Sequence, residues 1–139
     1  GWPEKGDKRT MKKFRNPASV HAPLAGYTHQ IEIDPSERLL VISGQIGMKL
    51  DGTIPEEPME QLKEAMKNLK ENLAAANMEI EDLVKLNFYH VGKLPSKRRR
   101  QLVSAMLEGH EPCMTLVFVE SLANPELKVE LEGWATKSR

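Results

Sequence analysis

Apolar positions along the chain fall into short alternating or continuous runs and two stretches with helical spacing. In Arg38–Ile46, Leu39, Leu40, Val41, Ile42 and Ile46 crowd too closely for a half-exposed strand and suit one covered on both faces. Asp51-Gly52 and Pro55 then supply turn chemistry, so the strand gives way to a loop. Simple alternation puts Ser43 and Gln45 on one face. Gly44 leaves backbone uncovered between them, as suits the approach of a small polar ligand, although a plain strand end with a turn has the same signature. Upstream, Phe14 and Asn16-Pro17 predict a short edge strand and loop within 12–20, and 28–33 alternates as a strand after the loop Ala22-Pro23-Leu24-Ala25-Gly26-Tyr27.

Downstream, Met59, Leu62, Met66, Leu69, Leu73 and Ala76 recur at spacings of three and four and predict a helix over 58–78. Val84, Leu86, Phe88 and His90 alternate with Lys85, Asn87 and Tyr89 in a strand over 82–91. Ser96 offers an N-cap for a second helix running to about Glu108, with Leu102, Val103, Met106 and Leu107 on its buried side. Strands over 114–119 and 127–136 finish the chain. The first is apolar on both faces. The second sets Leu127, Val129 and Leu131 against Lys128, Glu130, Glu132 and Trp134. This order predicts an α+β domain, a mixed sheet with both helices on one face. Two helices cannot cover both faces, so the apolar open face is expected to pack against further subunits.

Composition narrows the function classes. The 139 residues suit one domain, expected over 12–139 after a disordered or appended tail at 1–11. Twenty basic residues balance twenty acidic ones, which argues against a dedicated nucleic-acid binder. No apolar stretch reaches the length of a membrane span and no hydrophobic signal core opens the chain, so a cytoplasmic protein is expected. Cys113 is the sole cysteine, and the four histidines lack ligand spacing, so neither a disulfide within the chain nor a metal or other cofactor is expected. Lys97, Arg98, Arg99 and Arg100 crowd the first turn of the second helix, against its dipole; a bound anion, or a solvated face, accounts for them.

Several short motifs recur in a definite order: Ala22-Pro23 with Gly26-Tyr27, Ser43-Gly44-Gln45-Ile46, Asp51-Gly52-Thr53-Ile54-Pro55, Asn68-Leu69, Leu73-Ala74-Ala75-Ala76, Asp82-Leu83-Val84-Lys85 and Val129-Glu130-Leu131-Glu132. In this order and spacing, from about residue 16 to 135, the chain resembles the YjgF family. That family is also called the reactive intermediate or imine deaminase (Rid) family, and in older usage endoribonuclease L-PSP or translation inhibitor. The resemblance implies a chorismate-mutase-like fold and a homotrimer whose sheets form a central barrel, with small-molecule clefts at the subunit interfaces. Deaminase-type members hydrolyse 2-imino and enamine acids to 2-oxo acids and ammonia. By position, Tyr27 corresponds to the cleft tyrosine, Ser43 and Gly44 to the serine-glycine wall, and Glu130 to the carboxylate that positions water. Met114 stands where those members carry the arginine for the substrate carboxylate, and Leu116 replaces a small or thiol residue. The loss of that guanidinium counts against 2-iminopropanoate deaminase activity. Arg100, placed by an ungapped match at the cleft rim, is the candidate replacement cation. The resemblance thus implies a hydrolase for an enamine- or imine-type metabolite. The alternatives are a trimer that binds a metabolite without turnover and, with less support, a ribonuclease or translation inhibitor.

Overall fold

Among the described residues, six strands and two α-helices form in the order β1 (Lys12–Arg15), β2 (Gln30–Ile33), β3 (Arg38–Ile46), α1 (Pro58–Ala75), β4 (Leu83–His90), α2 (Ser96–Met106), β5 (Cys113–Phe118) and β6 (Val129–Lys137). The computed structural model describes residues 12–139, and the expected tail at 1–11 lies outside them. Four strands make a mixed sheet in the order β3-β6-β4-β5. β6 runs antiparallel to both neighbours, while β4 and β5 are parallel and joined through α2. β1 and β2 pair with each other as a separate two-stranded ladder. Lys12, buried at the start of β1, lies 3.6 Å from Glu37 and 4.0 Å from Asp82, an ion-pair cluster that ties this ladder to the main body.

Both helices cover one face of the four-stranded sheet. Leu62, Ala65, Met66 and Leu69 of α1 are fully buried against Ile42, Leu131 and Ala135, and Val103 of α2 and Leu107 at its C-cap join the same core with Leu86 and Phe88. The opposite face is open, and Leu39 and Val41 on it are 64% and 62% exposed. The expected α+β architecture is therefore present.

Three local expectations need correction. α1 stops at Ala75 rather than Met78, because Asn77 takes positive φ and the amides of Asn77 and Met78 return to the carbonyls of Ala74 and Leu73. Ser96 is the first residue of α2 instead of its cap. Pro95 holds the cap position, and no side chain bonds to the free amides. Finally, Ser43 and Gln45 do not share a face. Ile42 pairs with Gly133 but Gln45 with Leu131, so β3 carries one extra residue there, a bulge. The bulge turns Gln45 toward α1, where Asn72 donates to it at 3.0 Å.

Side chains of α1 fasten the loop that follows. Asn68 Nδ2 donates to the carbonyls of Ile46 and Met48, at 2.9 and 3.0 Å. Gln61, 1% exposed, donates to the carbonyls of Pro55 and Glu126 and accepts from the Lys128 amide. Gly47 lets the chain pass directly against α1, where a Cβ would sit 2.5 Å from Gln61 Cα.

Candidate functional site

Between α2 and the β4–β5 pair lies a cavity of about 390 Å³, a volume suited to a small ligand. Its floor is Phe88, Met114 and Leu116, its α2 wall Arg99, Val103 and Leu107, and its mouth Tyr27, Gly26 and Glu111. Parallel pairing sets Leu86 beside Met114 and Phe88 beside Leu116, which fixes both β5 side chains on the helix-covered face. Tyr27 reaches the cavity because the next residue, Thr28, is anchored. Its amide donates to Pro112 at 3.1 Å and its hydroxyl to the Glu111 carbonyl at 2.5 Å. His29 packs edge-on against Tyr27 and hydrogen-bonds through Nε2 to the His21 carbonyl, so it supports the tyrosine from behind.

The remaining candidates sit elsewhere. Glu130 alternates with the fully buried Val129 and Leu131, so its side chain is on the open face of the sheet, opposite Met114 and Leu116. It lies over the bulge, and a Cβ on Gly44 would come within 1.8 Å of its carboxylate. The glycine thus makes room for the acid rather than for a ligand alone. Ser43 is exposed beside it. Glu130 has no hydrogen-bonding partner among the described residues. Its neighbour Glu132 accepts from the Tyr89 hydroxyl, and that bond raises the tyrosine's pKa, with burial and the two carboxylate charges adding.

Within one chain, then, Tyr27, Arg100, Met114 and Leu116 share the helix-side cavity, while Ser43, Gly44 and Glu130 share the open face. Arg100 lines the cavity from an exposed position. Cys113 is half-buried and its thiol is pushed up by burial, which describes an unreactive strand residue.

The sequence names Arg99 only within the basic run 97–100 and His90 only within a strand alternation, neither as a residue of the cleft. The signal for Arg99 was present, since it precedes Val103 and Leu107 at four-residue spacing and so falls on the buried stripe of α2. His90 is fully buried, stacked on Phe88 and tilted against Phe118, and neither ring nitrogen has a hydrogen-bonding partner. Burial, with the Arg99 charge adding, pushes its pKa down from 6.5 to about 4. The unfolded imidazole therefore takes a proton that the folded one refuses, and stability should fall as pH drops from 6.5 toward about 4. His90→Leu should flatten that decline, as read from urea midpoints of both proteins near neutral pH and at about pH 4.5.

The sequence profile of the endoribonuclease L-PSP family matches residues 18–137. The RutC family protein YjgH of Escherichia coli K12 is 32% identical over 74 residues, 53% of this chain and 56% of that protein. The match therefore spans little more than half the length of that relative. Among solved structures, YyfB of Yersinia pestis, from the conserved Rid protein family, superposes with a TM-score of 0.79 at 29% identity, covering 89% of this chain and 97% of that one. Escherichia coli TdcF, solved with bound serine, superposes at 0.67 with 21% identity over 91% of this chain and 99% of its own, a likeness of fold. Together with the mixed sheet, its two covering helices and the ordered motifs, the profile match places the chain in the endoribonuclease L-PSP family, the YjgF/Rid family.

Proposed function

We propose that the chain is a small-molecule cleft protein that hydrolyses an enamine- or imine-type metabolite, working as a homotrimer. The observation that carries this reading is the division of the candidate residues between two sheet faces. A ligand in the α2–β4–β5 cavity cannot meet Glu130 of its own chain, because the sheet intervenes. If the open faces associate, Ser43, Gly44 and Glu130 of one subunit close the mouth of the next subunit's cavity beside Tyr27. Exposed Leu39, Val41 and Val117 give the open face an apolar surface suited to that association. The bound serine in TdcF supports a small polar ligand in this fold.

The chemistry follows from the groups so assembled. Glu130, free of hydrogen-bonding partners among the described residues, takes a proton from water as the oxygen attacks the imine carbon. The proton then passes to nitrogen. The resulting carbinolamine hydroxyl gives its own proton to the same carboxylate and on to nitrogen as the C–N bond breaks, and ammonia and a carbonyl product leave. Met114 supplies no charge for a carboxylate at the position where the family's arginine stands. A steady-state assay of 2-iminopropanoate hydrolysis tests the reading. The native chain should be slow, Met114→Arg faster by about 10-fold in kcat/KM, and Glu130→Ala slower by about 100-fold. Equal rates for native protein and Glu130→Ala would remove the hydrolytic role. Such a result would leave a trimer that binds its metabolite without turnover.

A further inference from the structure

The cavity's only cations among its lining residues come from α2. Arg99 is half-buried, its Nε is shielded from solvent, and that nitrogen has no hydrogen-bonding partner. No carboxylate pairs with Arg99 among the described residues. Burial disfavours its charged form, and the neighbouring Arg100 charge adds to this. Behind the cavity floor is His90, outside the lining, fully buried with both ring nitrogens unpartnered and stacked on Phe88. Arg99 in the lining and His90 behind the floor thus leave three polar atoms unsatisfied beside a cavity whose floor is apolar. Such atoms cost stability unless something bonds to them.

Parallel pairing sets Phe88, on which His90 stacks, beside Leu116, two residues beyond Met114 on β5 and about 7 Å along the sheet from it. The acid on the cavity wall, Glu111, belongs to the Met114 end, where its carboxylate approaches Gly26.

We propose that Arg99, with Arg100 at the rim, is the anion-binding residue of this cavity, and that its ligand is a monocarboxylate on an apolar body long enough to reach from Arg99 toward Tyr27 and Met114. The inference rests on the cavity being a small-molecule site. A guanidinium donates two parallel bonds to a carboxylate, and one half-buried arginine beside a neutral imidazole balances a single negative charge. Phe88, Val103, Leu107 and Leu116 fit an aryl or alkyl body. A three-carbon acid would fill only a small part of the 390 Å³ space, so ligand size becomes the selective feature.

Calorimetric titration of the full chain with 3-phenylpropanoate, its primary amide and acetate tests this. The native protein should bind the carboxylate about 10- to 100-fold more tightly than the amide and bind acetate far more weakly than either. Arg99→Gln should erase the preference for the carboxylate while keeping amide affinity, which also reports an intact cavity. Arg99→Lys should restore part of it, and Arg100→Gln should weaken carboxylate binding by only about two- to threefold. Equal affinity for carboxylate and amide in the native protein, or a preference that survives Arg99→Gln, would overturn the anion site while leaving the cavity standing. Binding of neither probe would overturn the small-molecule reading of the cavity and the inference with it.

Discussion

Gln61→Ala is expected to lower the free energy of unfolding by about 3–5 kcal/mol, although the residue touches no candidate ligand. Its amide holds three backbone groups at once, the carbonyls of Pro55 and Glu126 and the amide of Lys128, and it is shielded from water. Truncation leaves all three without a partner. Each costs about 1–3 kcal/mol when buried, and a water entering the vacated space recovers only part of that. The effect reaches the site as well, because Lys128 lies two residues before Glu130 and leads the chain into β6. Urea denaturation gives the stability loss, and amide hydrogen exchange at Lys128 should accelerate in the variant before global unfolding contributes. Unchanged exchange there would mean that Gln61 does not hold this junction.

Gly47→Ala is expected to cost about 3 kcal/mol, more than its single added methyl suggests. The new Cβ would lie 2.5 Å from Gln61 Cα and 2.7 Å from the Gln61 carbonyl oxygen. Both are backbone of α1, so no rotamer change relieves the overlap; the helix must move away from the sheet. Its displacement would disturb the Gln61 bonds and the two that Asn68 makes to the same loop. Gly52→Ala provides the control. Gly52 has φ of +89° with open space around it, so the change brings backbone strain without collision, at about 1–2 kcal/mol. Urea midpoints that rank Gly52→Ala as the more damaging would contradict this packing.

The parts of the fold that the sequence discloses are those where one element decides its own pattern. α1 is legible because five apolar residues, Met59, Leu62, Met66, Leu69 and Leu73, share one stripe, and β6 because Val129 and Leu131 alternate with acids. The bulge in β3 is not legible, since it exists only relative to β6: the chain shows Ser43-Gly44-Gln45 but not that two of these residues face one partner position. Pro95, in extended conformation, holds the cap position that the sequence offers to Ser96. Strand β5 is apolar on both sides, so nothing in its sequence says which side the helices cover. That ambiguity leaves the sequence silent on whether Met114 lies on the face of Glu130 or behind it. Arg99 falls on the stripe set by Val103 and Leu107, but a charged residue there reads as part of the basic run until its burial is known.

The most direct test of the account is cross-linking between two single-cysteine proteins. Ser43→Cys and Tyr27→Cys, each carrying Cys113→Ser, would be mixed, allowed to exchange subunits and treated with a short bismaleimide. The sheet separates these two positions within a chain. If the open face of one subunit closes the cavity of the next, the mixture should give a product joining one chain of each kind, absent from either protein alone. Confirmed subunit exchange with no mixed product would contradict the account, leaving Glu130 remote from every cavity in the assembly.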